Sequence, residues 1–140
     1  MVIADSGFFV ALLRPVDHAH LIAKRLYDEL DEPIVTTWPV LTEATHILAS
    51  RAHPGYAIGL MESIASAEFR LATQGQDDSH RMAHLMQKYH DFPMDLADAS
   101  LVVLAEKLGN GRILSTDRRD FKSYKWKNRK PFTNLMFPND

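Results

Sequence analysis

Near its start the chain reads Val2-Ile3-Ala4-Asp5-Ser6-Gly7, a short apolar run that ends in polar residues. Such a run is typical of a buried strand in a parallel sheet, with its polar residues at the carboxyl end. Asp5 is therefore a candidate ligand-binding residue at the edge of a sheet. It could also simply cap the helix predicted for residues 8–13, for which Ser6 is another plausible N-cap.

Further strands and helices alternate along the chain. Residues 34–37 and 112–115 predict two more strands, and residues 69–71 predict a weaker one. Between the strands, apolar residues recur with helical spacing, which predicts helices over 17–30, 39–48, 56–65, 77–89 and 96–108. Strands separated by helices indicate an α/β fold with a central, mostly parallel sheet flanked by helices.

Length and composition limit the class of protein. One domain is expected from 140 residues, of which 46% are hydrophobic and 24% charged, as in soluble globular proteins. The chain has no cysteine, which excludes disulfides, thiolate metal sites and a cysteine nucleophile. The first residues lack the basic lead-in of a signal peptide, and no apolar run approaches the length of a membrane span. We expect a cytoplasmic protein without membrane contact.

Four acidic residues are expected at one edge of this sheet. Asp5 and Asp117 follow predicted strands, while Glu43 and Asp98 lie near the starts of helices. Each acid alone could be a helix cap, a turn residue or a charge favoured near a helix N-terminus. Together they would repel one another, and a hard divalent cation such as Mg²⁺ or Mn²⁺ would relieve that repulsion. Phosphoryl transfer is the chemistry suited to such a site.

The order and spacing of four segments resemble those of a known protein family. The segments are the six residues quoted above, Pro39-Val40-Leu41-Thr42-Glu43, Leu96-Ala97-Asp98-Ala99-Ser100-Leu101, and Ile113-Leu114-Ser115-Thr116-Asp117-Arg118-Arg119-Asp120-Phe121. With them, the chain resembles the PIN-domain ribonucleases, close to the VapC-type toxins of bacterial toxin–antitoxin pairs. The resemblance covers most of residues 1–140 and implies a single PIN-like nuclease domain.

The resemblance also implies a role for each candidate site residue. The catalytic acids would be Asp5, Glu43, Asp98 and Asp117. Among them, the direct ligands of Mg²⁺ (or Mn²⁺) would be Asp5 and Asp98. Ser6 and Thr116 would position the acids or contact phosphate. Asp95 is expected first to cap the helix that contains Asp98, and second to serve as an auxiliary ligand.

The implied activity is Mg²⁺-dependent endonucleolytic cleavage of RNA by metal-activated water, in the toxin of a toxin–antitoxin pair. The expected partners are RNA, a cognate antitoxin protein and a second copy of the chain in a homodimer.

Apolar residues in excess of what a small core must bury could form the dimer seam or the antitoxin groove; they are Phe8, Phe9, Leu12, Leu13 and Trp38. Two alternatives stay open: a stand-alone PIN-domain nuclease in RNA processing, and a PIN-fold binding module with a degenerate site.

The C-terminal segment, from about residue 112 onward, is basic and aromatic. It carries eight Lys and Arg against three Asp and Glu, whereas residues 1–111 carry eight against fifteen, so the net charge of −2 hides a segregated distribution. Cations for phosphates and rings for base stacking suit single-stranded RNA. The candidate RNA-binding residues are Arg118, Arg119 and Lys122. Alternatively, the segment is a solvated basic end whose rings pack on the core; these rings are Phe121, Tyr124 and Trp126.

Overall fold

The structure is a computed structural model that describes residues 1–139. The described residues form seven short strands: β1 (Val2–Ala4), β2 (Ile34–Thr36), β3 (Arg70–Leu71), β4 (Arg112–Leu114), β5 (Lys125–Trp126), β6 (Lys130–Pro131) and β7 (Thr133–Asn134). Five of them form a central sheet in the order β3-β2-β1-β4-β7, and all four pairings in it are parallel. The predicted parallel sheet is confirmed, with β1 at its centre.

Helices cover both sides of this sheet in the α/β manner. In the described part of the chain they are α1 (Ser6–Leu13), α2 (His20–Glu29), α3 (Trp38–Arg51), α4 (Pro54–Ala65), α5 (Ser79–Lys88), α6 (Leu96–Leu108) and α7 (Asp120–Ser123). A single 3₁₀ turn, Gln76–Asp78, leads into α5. Between residues 1 and 139, no helix is long and apolar enough to cross a membrane.

Local chemistry explains where the helices begin and end. The predicted boundaries of α6 are confirmed, and Gly109 ends this helix with a φ of 73°, a left-handed conformation that glycine adopts at little cost. The helix predicted from residue 17 begins instead at His20, because the Asp17 carboxylate accepts a hydrogen bond from Ala19 N (2.9 Å) in a preceding turn. Ser6 is not the N-cap of α1. The Asp5 carboxylate takes that position by accepting from Ser6 N.

The core lies between the sheet and its helices. All three residues of β1 are fully buried, and Ile3 pairs with Val35 on one side and with Ile113 on the other. Phe8 and Phe9 are also fully buried, so the expectation that they form a dimer seam or antitoxin groove is wrong. Trp38, by contrast, is 55% exposed.

The C-terminal segment is more ordered than its sequence predicts. It contains α7, an antiparallel hairpin of β5 and β6, and β7, which extends the central sheet beside β4. Phe121, Tyr124 and Trp126 are buried, so these rings belong to the core and are not free to stack on bases. The alternative interpretation, in which the aromatic residues pack on the core, is therefore the one that the structure supports.

Close packing at the start of α1 yields a test of the fold. A Cβ atom at residue 7 would lie 1.8 Å from Thr116 Oγ1 and 3.0 Å from Thr116 Cβ, so Gly7→Ala must displace the Thr116 side chain after β4. We expect the free energy of unfolding, measured by urea denaturation, to fall by about 1–3 kcal/mol. The matched control is Gly59→Ala in α4, where nothing lies within 4 Å. This control should stabilise the protein by about 0.5–1 kcal/mol through helix propensity, so equal effects of the two variants would contradict the packing.

Candidate active site

Asp5 stands at the carboxyl end of β1, the central strand of the sheet. Its two oxygens accept hydrogen bonds from Ser6 N (2.7 Å) and from Ser115 Oγ (3.0 Å), and the residue is only 7% exposed. Burial raises the pKa of Asp5 from 3.8 to about 6, and the negative charges of Glu43 and Asp117 add to the rise. Ser115 is a site residue that the sequence analysis did not single out.

Asp98 lies in the first turn of α6, which Asp95 caps as predicted. Asp98 N donates to Asp95 Oδ1 (2.8 Å), and Asp95 N donates in return to Asp98 Oδ2 (3.4 Å), which completes a capping box. Burial first, and then the charges of Asp95 and Asp5, together raise the pKa of Asp98 to about 8. The predicted position of Asp95 at the helix N-cap is therefore confirmed, and its charge also acts on Asp98.

Tyr124 is a second contact that the sequence analysis missed. Its hydroxyl donates to Asp98 Oδ2 (3.2 Å), while its ring is fully buried among other aromatic residues. Burial, with the charge of Asp98 next, raises the pKa of Tyr124 above its usual value, so the hydroxyl keeps the proton that it donates. Nothing in the local sequence signals this contact, because it joins residues that are 26 positions apart.

Glu43 and Asp117 complete the set of four predicted acids. The Ser6 hydroxyl donates a short hydrogen bond to Glu43 Oε1, so α1 and α3 meet at the site. Asp117 follows β4, where its N–H donates to Ser115 Oγ (3.0 Å) and its Oδ1 accepts from Asp120 N (2.9 Å). Asp117 thus has the turn role that its sequence context suggested, in addition to its place beside Asp5.

Two further polar residues flank this region. Thr116 packs against Gly7, and none of the hydrogen bonds described for residues 1–139 joins it to the acids. Asp120 was not a predicted site residue. Its pKa is raised to about 6 by burial, by its hydrogen bond with Asp117 and by the charge of that residue. Asp120 therefore adds a further carboxylate to the four predicted acids and Asp95 at this edge of the sheet.

In the folded chain, each of the four predicted acids takes part in a charge interaction with another of them. The charge of Asp5 acts on Asp98, and those of Glu43 and Asp117 act on Asp5, although the four residues come from remote parts of the chain. The ion pairs found within residues 1–139 involve none of the four. Over the same residues, no group of three or more His, Asp or Glu side chains is already arranged to enclose a metal ion.

The candidate RNA-binding cations lie beside Asp117. Arg118, Arg119 and Lys122 are exposed, and the Arg118 guanidinium lies 4.4 Å from the centre of the Phe137 ring. Among them, the positive charge of Arg119 acts on Asp120 and opposes the rise of its pKa. The geometry therefore places an acidic cluster and a basic rim side by side at the carboxyl edge of the sheet, where ligands bind in parallel α/β proteins.

The raised pKa of Asp5 predicts how stability depends on pH. The folded state holds the Asp5 proton up to about pH 6 and the unfolded state only to about pH 4, so the free energy of unfolding falls as the pH rises through this range. Asp5→Asn removes this penalty while keeping an acceptor for Ser6 N. In urea denaturation at pH 8 without divalent ions, we expect it to stabilise the protein by up to about 3 kcal/mol.

The same comparison at pH 4 provides the internal control. The gain should disappear there, because Asp5 is protonated in the folded wild-type protein. Asp31→Asn, at an exposed acid that precedes β2 at the opposite edge of the sheet, should change stability little at either pH. A destabilised Asp5→Asn variant at pH 8 would show that ionised Asp5 does not destabilise the folded state.

Comparisons with known proteins agree with this architecture. No protein-family model matches the chain. In sequence the chain is similar to ribonuclease VapC26 of Mycobacterium tuberculosis (strain ATCC 25618 / H37Rv), with 25% identity over 122 residues that cover 87% of this chain and 90% of that protein. In structure it is similar to the crystal structure of Mycobacterium tuberculosis VapC20, described as a sarcin-ricin loop cleaving toxin. The TM-score is 0.82 at 21% identity, with 94% of this chain and 100% of that one covered.

The predicted resemblance to the VapC-type PIN-domain toxins is therefore confirmed, in sequence over most of the chain and in fold over nearly all of it.

Proposed function

We propose that the chain is a Mg²⁺-dependent endoribonuclease and the toxin of a toxin–antitoxin pair. The observation that carries this proposal is the convergence of the acids on buried Asp5. Ser6 hydrogen-bonds to both Asp5 and Glu43, Ser115 Oγ hydrogen-bonds to both Asp5 and the N–H of Asp117, and the charge of Asp5 acts on Asp98. The similarity to a protein named as a VapC ribonuclease supports it independently. A binding module with a degenerate site is disfavoured, because carboxylates that repel one another cost stability and such a module would not need them.

The donor set fits a hard divalent cation. Burial makes the carboxyls of Asp5 and Asp98 harder to ionise than an exposed aspartic acid, and a bound cation would favour their ionised forms. The four acids supply oxygen donors, which favours Mg²⁺ or Mn²⁺ over softer metals. Because Mg²⁺ commonly binds through one or two carboxylates and several waters, it does not require a ready-made cage of three acids.

The chain's own residues hold the acids that this chemistry needs. When bound, the ion would activate a water molecule and stabilise the attacking and leaving oxygens of a phosphodiester. Ser6 N and Ser115 hold Asp5, and Tyr124 holds Asp98. Glu43 and Asp117 would bind the ion through water, hold a second ion or orient the nucleophile.

RNA is the substrate that the basic rim favours. Arg118, Arg119 and Lys122 follow Asp117 closely in sequence and are exposed, so they can attract the phosphates on either side of a scissile bond. The structurally similar VapC20 is described as cleaving the sarcin-ricin loop. We therefore take an oligonucleotide with that loop as the first substrate to assay, beside an unstructured RNA.

Cleavage by the purified protein tests the assignment of the site. We expect Asp5→Asn and Asp98→Asn each to lower the cleavage rate at least a hundredfold with Mg²⁺ present, while circular dichroism shows an unchanged fold. EDTA should stop the wild-type reaction, and added Mg²⁺ should restore it. Asp31→Asn is the matched control, and it should cleave at the wild-type rate because its side chain is exposed at the opposite edge of the sheet. Undiminished cleavage by both site variants would remove Asp5 and Asp98 from the mechanism.

Protein partners are the second part of the proposal. Trp38 lies in an apolar groove of about 490 Å³ between α3 and α4, with Ile58 and Met61 among its lining residues. Trp38 and Ile58 are 55% and 59% exposed, and exposed apolar surface of this kind marks contact sites. We propose a cognate antitoxin and a second copy of the chain as the protein partners. A stand-alone RNA-processing nuclease is the alternative, and expression in cells separates it from a toxin.

Expression in a bacterial host tests the toxin role. We expect the wild-type chain to arrest growth, because unrestrained RNA cleavage stops protein synthesis, whereas Asp5→Asn should not. Co-expression of the protein encoded by the neighbouring gene should relieve the arrest. Growth is followed by optical density, and cut sites are mapped by RNA sequencing. Cleavage without growth arrest would favour the RNA-processing alternative.

A further inference from the structure

We infer that a cavity beside Asp117 binds one nucleobase of the RNA substrate, next to the site of cleavage. This inference rests on the proposed ribonuclease function and adds a subsite to it. The cavity is lined by Asp117, Phe121, Lys122, Phe132, Asn134 and Phe137, among others. It lies between α7 and the carboxyl end of β7, at the same edge of the sheet as the acids.

The walls of the cavity suit a flat, neutral ring. Phe121 and Phe132 meet edge to face, with their ring centres 5.2 Å apart, and Phe137 is covered on one side by the Arg118 guanidinium. Phe132 and Phe137 are only partly buried, so ring surface remains accessible. Nucleobases stack on aromatic rings and on guanidinium planes in many complexes with single-stranded RNA.

The size and charge of the cavity restrict its occupant. Its volume is about 220 Å³, below the roughly 300–1,000 Å³ of pockets for drug-sized ligands, so it fits one ring system and not a larger ligand. The Asp117 carboxylate in its wall would repel a phosphate but can accept a hydrogen bond from the N–H groups of a base. Lys122, which is exposed, also lines the cavity and suits the adjoining phosphate.

A set of hydrogen bonds keeps the cavity at a constant distance from the acids. Asn134 Nδ2 donates to Ser115 O (2.9 Å), and Asn134 Oδ1 accepts from Met136 N (3.1 Å) and from Ser115 N (3.3 Å). Ser115 is the residue whose hydroxyl holds Asp5. A base in the cavity would therefore be placed in a defined position relative to Asp5, which suits a specificity-determining subsite.

Nucleotide binding to the isolated protein is the direct test. Amide signals are recorded by NMR while AMP, GMP, CMP or UMP is added, with ribose 5-phosphate as the probe that lacks a base. We expect at least one of the four nucleotides to shift the amides of Lys122, Thr133 and Asn134, while ribose 5-phosphate leaves them in place. If ribose 5-phosphate shifts them equally, or if no nucleotide shifts them, the cavity is not a base subsite.

A variant that fills the cavity tests whether base binding there contributes to RNA cleavage. Thr133 lines the cavity and is exposed, so Thr133→Tyr can insert its ring there, whereas Thr73→Tyr is the matched control beyond β3, at the other side of the sheet. We expect Thr133→Tyr to abolish the nucleotide shifts and to lower kcat/KM for RNA about tenfold, within the range that one stacked base contributes. Thr73→Tyr should change neither.

The results distinguish a failure of this base subsite from a failure of the proposed ribonuclease function. If Thr133→Tyr does not fold, Phe132→Leu serves instead, because it removes ring surface with a smaller change in volume. Wild-type cleavage with unaltered kcat/KM in the cavity variant would overturn the subsite and leave the ribonuclease in place. A wild-type protein that cleaves no RNA would overturn the ribonuclease itself, and nucleotide binding would then be judged by the NMR shifts alone.

Discussion

The burial of acidic side chains at one edge of the sheet is the constraint on which the surrounding structure depends. Asp5 ends a strand that is buried on both sides, so its charge cannot be moved into water without taking the core apart. Neighbouring groups therefore supply hydrogen bonds: Ser6 N and Ser115 Oγ both donate to Asp5, and the Ser6 hydroxyl donates to Glu43. These donors hold the acids close together, although they do not cancel the effect of burial, which raises the pKa of Asp5 and to which the charges of Glu43 and Asp117 add.

The C-terminal segment acts as a support for this acidic edge. Tyr124 anchors its ring in the core and donates its hydroxyl to Asp98, and Asn134 fastens β7 to the backbone of Ser115. The first contact joins the segment to the first turn of α6, and the second joins it to the residue that follows β4. The basic residues that make this segment distinctive in sequence remain on the outside of the same structure, as the exposure of Arg118 and Lys122 indicates.

The regular secondary structure could be predicted from the sequence, whereas the contacts between remote residues could not. The parallel sheet and α6 follow from apolar runs, helical spacing and the glycine after Leu108, all of which are local signals. The convergence of the four acids followed from topology, because parallel strands end at one edge. Ser115 and Tyr124 have no such signal, since a hydroxyl donor is recognisable only once the fold has placed it beside its carboxylate. The C-terminal strands were missed because each has only two residues and no apolar run.

The two outer strands of the sheet have a consequence for the protein at high concentration. β3 and β7 contain two residues each, and exposed side chains, Arg70 and Thr133, stand on them. A long, flat outer strand offers a row of unpaired backbone groups to which another chain can add, whereas such short strands offer almost none. The sheet is therefore protected against intermolecular strand addition and the aggregation that follows from it, so the folded protein can accumulate in a cell without polymerising through its sheet.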